Sequence, residues 1–152
     1  MSEGSARRPA ILVSACLLGV ACNHKGEGSP PAAVRRLADA HQLVPVCPEV
    51  AGGLSTPRPA AELQSDGRVV NERGDDVSDA YRRGAAAAVA LAEAIGAERA
   101  VLKARSPSCG CLEVYDGTFT RTRVAGEGVT ARALREAGVT VESEEDVGRP
   151  VT

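Results

Sequence analysis

Apolar residues in this chain cluster in short unbroken runs separated by polar, glycine- and proline-bearing stretches. Residues 11–15 form such a run, the pattern of a strand buried on both faces. Similar runs at 43–46 and 99–103 predict two more strands, and 139–141 a last short one. Pro31 is placed to open a helix over 32–42, with Val34, Leu37 and Ala38 on one face. The clearest helix covers 79–95: it is alanine-rich, with Ser78 as N-cap and Gly96 just past its end. A shorter helix over 130–137 stops at Gly138. Residues 16–31 read as a loop, as do 50–65, with one helical turn expected at 60–63. Asp66-Gly67 is expected to turn between two short extended pieces, the second at 68–70. Residues 104–114 read as a loop, and 115–119 as a turn carrying an aromatic anchor. Strands alternating with helices predict a parallel, doubly wound α/β sheet. Residues 1–9 read as a flexible leader, 10–146 as one domain and 147–152 as a polar tail.

Composition narrows this picture. A chain of 152 residues has the size of one domain, and one Phe, two Tyr and no Trp leave the core to Val, Leu, Ala and Ile. The net charge of −2, with basic residues dispersed, gives no electrostatic footprint for nucleic acid. The apolar segment 11–22 is too short to span a bilayer and reads as a buried strand. The expected location is the cytoplasm. There, five cysteines argue for metal binding or catalysis rather than a disulfide framework.

The candidate chemistry lies at the strand ends. Cys16 follows the first strand, Cys47 the second, and Cys109 lies in the loop after the third. Carboxyl ends of neighbouring strands in an open α/β sheet face one crevice, so these thiols converge. They suit a metal or iron–sulfur site with one open coordination position, while one or two of the cysteines can equally be small buried hydrophobes. Glu49, two residues past Cys47, is either a proton carrier beside that site or a loop carboxylate. Ser106 and Ser108 belong to a tight SPSCG loop able to hold a carbonyl or an anion. Arg58, Glu62 and Lys103 are candidate substrate contacts or structural ion pairs. No phosphate-binding glycine motif and no GxSxG elbow is present.

Several motifs then occur in order: VSACLLGVAC at 13–22, PVCPEVAGGLSTPRPAAEL at 45–63, GDDVSDAYRRGA at 74–85, LKARSPSCG at 102–110, YDGTFT at 115–120 and GEGVTARALREAGV at 126–139. Together they resemble the thiouracil desulfidase family. The resemblance implies a Rossmann-like three-layer α/β fold in a single domain with a mostly parallel sheet. It implies a [4Fe-4S] cluster bound by Cys16, Cys47 and Cys109 and supplied by iron–sulfur assembly machinery. It implies hydrolytic, non-redox removal of sulfur from a thiolated base such as 2-thiouracil, with Glu49 as the acid–base residue and a serine, Ser106 before Ser108, assisting. The segment 23–28, NHKGEG, departs from the Arg-Tyr-Asp-Gly-like stretch expected there, and Cys22 and Cys111 are additional thiols. The competing readings are a zinc- or thiol-dependent hydrolase in the same crevice and a non-catalytic iron–sulfur or sulfur-binding module.

Overall fold

A computed structural model describes residues 8–28 and 30–147. Most of the expected leader and residues 148–152 of the expected tail lie outside them. The elements are β1 (Ala10–Ser14), α1 (Ala32–Arg36), β2 (Gln42–Val46), α2 (Pro48–Ala51), β3 (Ala61–Leu63), β4 (Val69–Asn71), α3 (Ser78–Ile95), β5 (Arg99–Leu102), β6 (Glu113–Tyr115), β7 (Arg123–Ala125), α4 (Val129–Glu136) and β8 (Thr140–Ser143).

The four apolar runs pair side by side as one parallel sheet in the order β2-β1-β5-β8. Register explains why these runs are apolar without alternation. Leu12 lies opposite Ala100, and both face Ala88, Ala92, Ala131 and Leu134 of α3 and α4. Val13 lies opposite Val101, and both face the other way, toward Val34 of α1. The two central strands, β1 and β5, are therefore covered on both faces, whereas β2 and β8 at the edges keep exposed positions. The result is a three-layer α/β arrangement, as the alternation of strands and helices predicts.

Val147, the first residue of the expected tail, is buried with Ile11 and Val13. The helix expected over 32–42 is shorter: α1 tightens into a 3-10 turn at Leu37–Asp39, and Gln42 is already paired in β2 opposite Ala10. The helical turn expected at 60–63 is instead strand β3, because Ala61–Leu63 pairs antiparallel with Val69–Asn71 across the Asp66-Gly67 turn. Residues 48–51, inside or beside the expected loop, form helix α2 with Pro48 in its first turn. The turn at 115–119 belongs to a second antiparallel hairpin, β6 with β7. Ser78 lies inside α3, and its hydroxyl caps no helix end but accepts the Val69 N–H at 2.9 Å. Gly96 closes α3 in the left-handed conformation, as expected.

Candidate active site

Three strand ends build the site, and each uses a different local device. After β1 the chain winds into a 3-10 turn, Ala15–Leu18, which carries Cys16 and is closed by left-handed Gly19. After β2, Cys47 is the N-cap residue of α2, and Glu49 sits in that helix's first turn. After β5, the Ser106 hydroxyl accepts the N–H groups of Ser108 and Cys109, both at 3.0 Å. Gly128 passes so close beneath this loop that a Cβ there would lie 2.4 Å from the Ser108 carbonyl. β1 has β2 on one side and β5 on the other, so the order of strands reverses beside it, where ligands of open α/β sheets bind.

A cavity of about 740 Å³ opens over these strand ends, and Cys16, Cys22, Cys47, Cys109, Glu49 and Ser106 all line it. Cys109 is nearly inaccessible, at 3 % exposure, while Cys16 and Cys47 are partly open. Burial pushes the Cys16 thiol up to about 11, and the neighbouring Cys47 and Glu49 add to it. Cys22 is pushed up to about 12 by burial and then by Cys47. Cys109 rises as well, through burial and then Glu49, opposed by a hydrogen bond from the Ser14 hydroxyl to its sulfur at 3.3 Å. Burial and their mutual repulsion hold these thiols in the neutral form, and a cationic group beside them would favour the thiolates. Among the described residues no three Cys, His, Asp or Glu side chains are grouped so as to hold a metal ion. Several cysteines lining one cavity are the donor type that holds an iron–sulfur group.

The remaining expected residues separate clearly. Glu49 lies 3.5 Å from the Arg58 guanidinium, and both side chains are largely buried. Arg58 is a clamp as much as a contact: it donates to the carbonyls of Cys22 at 3.0 Å and Ser55 at 3.1 Å. Lys103 lines the cavity with its ammonium paired to Glu144 at 2.8 Å. Glu62 also lines it, but Oε1 accepts the N–H groups of Gly117 and Phe119. Ser108 does not reach the cavity: it is fully buried, with its hydroxyl 2.7 Å from that of Thr130. Cys111 packs against the core outside the cavity, whereas Cys22 lines it.

Sequence reasoning missed Ser14 and Tyr81 as site residues, and it read the turn at 115–119 with its aromatic anchor but not that the β6–β7 hairpin brings Tyr115, Phe119 and Arg121 to the cavity. Ser14 had a signal, as the polar residue in the first apolar run. Tyr81 is buried at 3 %, its phenol pushed up by burial and then by Glu49, and it reads in sequence as an ordinary core position of α3. The hairpin strands are three residues each, too short for any periodicity.

Comparison with known proteins agrees with this geometry. The model of the 2-thiouracil desulfurase family matches residues 11–146. The uncharacterized protein YbbK of Bacillus subtilis (strain 168) is 40% identical over 146 residues, spanning 90% of this chain and 97% of its own. A solved structure of the [4Fe-4S]-dependent thiouracil desulfidase TudS superposes with a TM-score of 0.86 at 42% identity, covering 91% of this chain and 93% of that one. With a family match running from the first buried strand to beyond the last, the chain belongs to the 2-thiouracil desulfurase family.

Proposed function

We propose that this protein removes sulfur from the thiocarbonyl of a thiolated nucleobase of the 2-thiouracil type. The reaction exchanges C=S for C=O at the expense of water and releases hydrogen sulfide, with no net redox change. One observation carries the reading: Cys16, Cys47 and Cys109 line one cavity with Glu49 at the ends of adjacent parallel strands. Those three residues would hold a [4Fe-4S] cluster, which supplies an iron with a vacant position and high affinity for sulfur.

The chain's own residues supply the rest. Glu49 accepts a proton from the attacking water, with its carboxylate oriented by Arg58. The Ser106 oxygen already accepts two N–H groups, so its own O–H is left to donate into the cavity toward the developing negative charge. Arg58 and Lys103, both tied into ion pairs, shape the wall around the substrate. The location we propose is the cytoplasm, where assembly machinery delivers iron–sulfur clusters and thiols stay reduced. Among the described residues no helix is long and apolar enough to cross a membrane.

Anaerobic reconstitution followed by a sulfide assay with 2-thiouracil tests this. The expected result is about four irons per chain together with sulfide release. Cys16→Ser, Cys47→Ser and Cys109→Ser each lose the iron, and Cys22→Ser and Cys111→Ser keep it. Glu49→Gln keeps the iron and slows turnover by roughly 10²–10⁴-fold. Unchanged sulfide release from Glu49→Gln would remove that residue from the chemistry.

A further inference from the structure

The chain has one Phe, two Tyr and no Trp, and all three aromatic residues line the same cavity. Of the three, Tyr81 belongs to the buried core, and the two on the β6–β7 hairpin, Tyr115 and Phe119, are not fully buried. Tyr115 is half-buried, but Phe119 is 38 % exposed while lining the cavity. An apolar ring left open to water beside a ligand cavity is available to a ligand.

The backbone beneath that ring is unusual. Phe119 has φ 59, in the left-handed region that bulky side chains rarely adopt. Among the described residues the other non-glycine residues with positive φ are Arg105 and Arg121, and they line the cavity too. Strain of this kind persists where surrounding structure over-determines it, and it gathers at ligand sites. Here the over-determination is visible. Glu62 is 8 % exposed, and its Oε1 accepts the N–H groups of Gly117 at 3.0 Å and Phe119 at 3.1 Å. Gln64 donates its side-chain amide to the Gly117 carbonyl at 3.2 Å. A Cβ on Gly117 would lie 2.8 Å from the Leu63 carbonyl, so the hairpin tip rests directly on β3.

We infer that Phe119 is the specificity-determining platform of the cavity, stacking on the planar ring of the substrate base, with Glu62 as the positioning residue that holds it there. The inference takes its substrate class from the proposed function. A flat heteroaromatic ring gains from the aromatic face, and an aliphatic thiocarbonyl does not. Because the tip is clamped before substrate arrives, little ordering cost is left to binding.

The test uses the anaerobically reconstituted protein and two readouts: uracil binding by calorimetry, and kcat and KM for sulfide release from 2-thiouracil. The variants are Phe119→Ala, Phe119→Leu, which keeps apolar bulk without a π face, and Phe119→Tyr. Phe119→Ala and Phe119→Leu are expected to raise Kd and KM about tenfold, with kcat and the visible cluster absorbance retained. Phe119→Tyr stays near the parent. Parent-like binding in Phe119→Leu, or equal weakening in Phe119→Tyr, overturns the inference. So does a joint loss of kcat and cluster absorbance in both Phe119→Ala and Phe119→Leu, which marks a packing role. Uracil binding that depends on Phe119 with no sulfide from the parent enzyme supports the inference and defeats the proposed function. Sulfide release from the parent with the same KM in every variant does the reverse.

Discussion

Ser14 holds two parts of the site together through one oxygen. Its hydroxyl donates to the Cys109 sulfur at 3.3 Å and accepts the Lys103 N–H at 2.9 Å. Ser14→Ala removes both partners in a buried position. The cluster-free variant is expected to be less stable by about 1–3 kcal/mol, the cost of a stranded donor, and urea unfolding measures it. An unchanged midpoint would mean that Lys103 finds another acceptor. At this scale the cysteines were legible and the hydroxyls only partly so. A cysteine at a strand end announces itself by its surroundings. Which serine of SPSCG faces the cavity depends on Thr130 in α4, which takes the Ser108 hydroxyl, and nothing in the loop's own sequence encodes that partner. Glu62 shows the same limit: it was legible as a site residue, but its partners at Gly117 and Phe119 come from a distant hairpin.

Between elements, α2 and α3 approach backbone to backbone. A Cβ on Gly84 would lie 2.0 Å from the Pro48 carbonyl oxygen, and one on Gly52 would lie 1.9 Å from that of Ala80. These two glycines let α2 lie backbone against backbone on α3, and α2 carries Glu49 with Cys47 at its cap. Gly84→Ala must push the short helix away. A stability loss of about 1–3 kcal/mol is expected, with reduced iron content and sulfide release, although Gly84 does not line the cavity. Full activity in Gly84→Ala would show that α2 tolerates displacement. The long helix and the four strands of the parallel sheet were readable because their patterns run for several residues and end at glycine or at polar loops. α2 was not, since four residues that begin with a proline and run into Gly52-Gly53 resemble a loop. The hairpins were readable in part: the Asp66-Gly67 turn and the extended piece after it were, but β3 was expected as a helical turn, and β7 is exposed along its whole length and carries no alternation to read.

For the whole molecule, the raised thiols make the cluster-free protein alkali-sensitive. Cys16 moves from 9.0 to about 11 and Cys22 from 9.0 to about 12 on folding, so the folded chain holds these protons more tightly than the unfolded one. As pH rises above 9 the unfolded chain releases its protons first. Stability is full below about pH 9 and falls between about 9 and 12. Urea midpoints of the reduced, cluster-free protein at about pH 7 and about pH 10.5 should differ in that direction. In the cluster-bound form the ligating thiols are already deprotonated, and the drop should shrink. The order β2-β1-β5-β8 has one more consequence, and it concerns time. Cys16 and Cys47 leave the ribosome early, flanking strands that pair with each other, but Cys109 follows β5, which must still reach the far side of β1. Parallel pairings between segments so distant in sequence form late. A carrier meeting the nascent chain would find two of the three proposed ligands, Cys16 and Cys47. Loading of the proposed cluster therefore waits for a finished sheet, and the empty protein must persist as a folded species long enough to receive it.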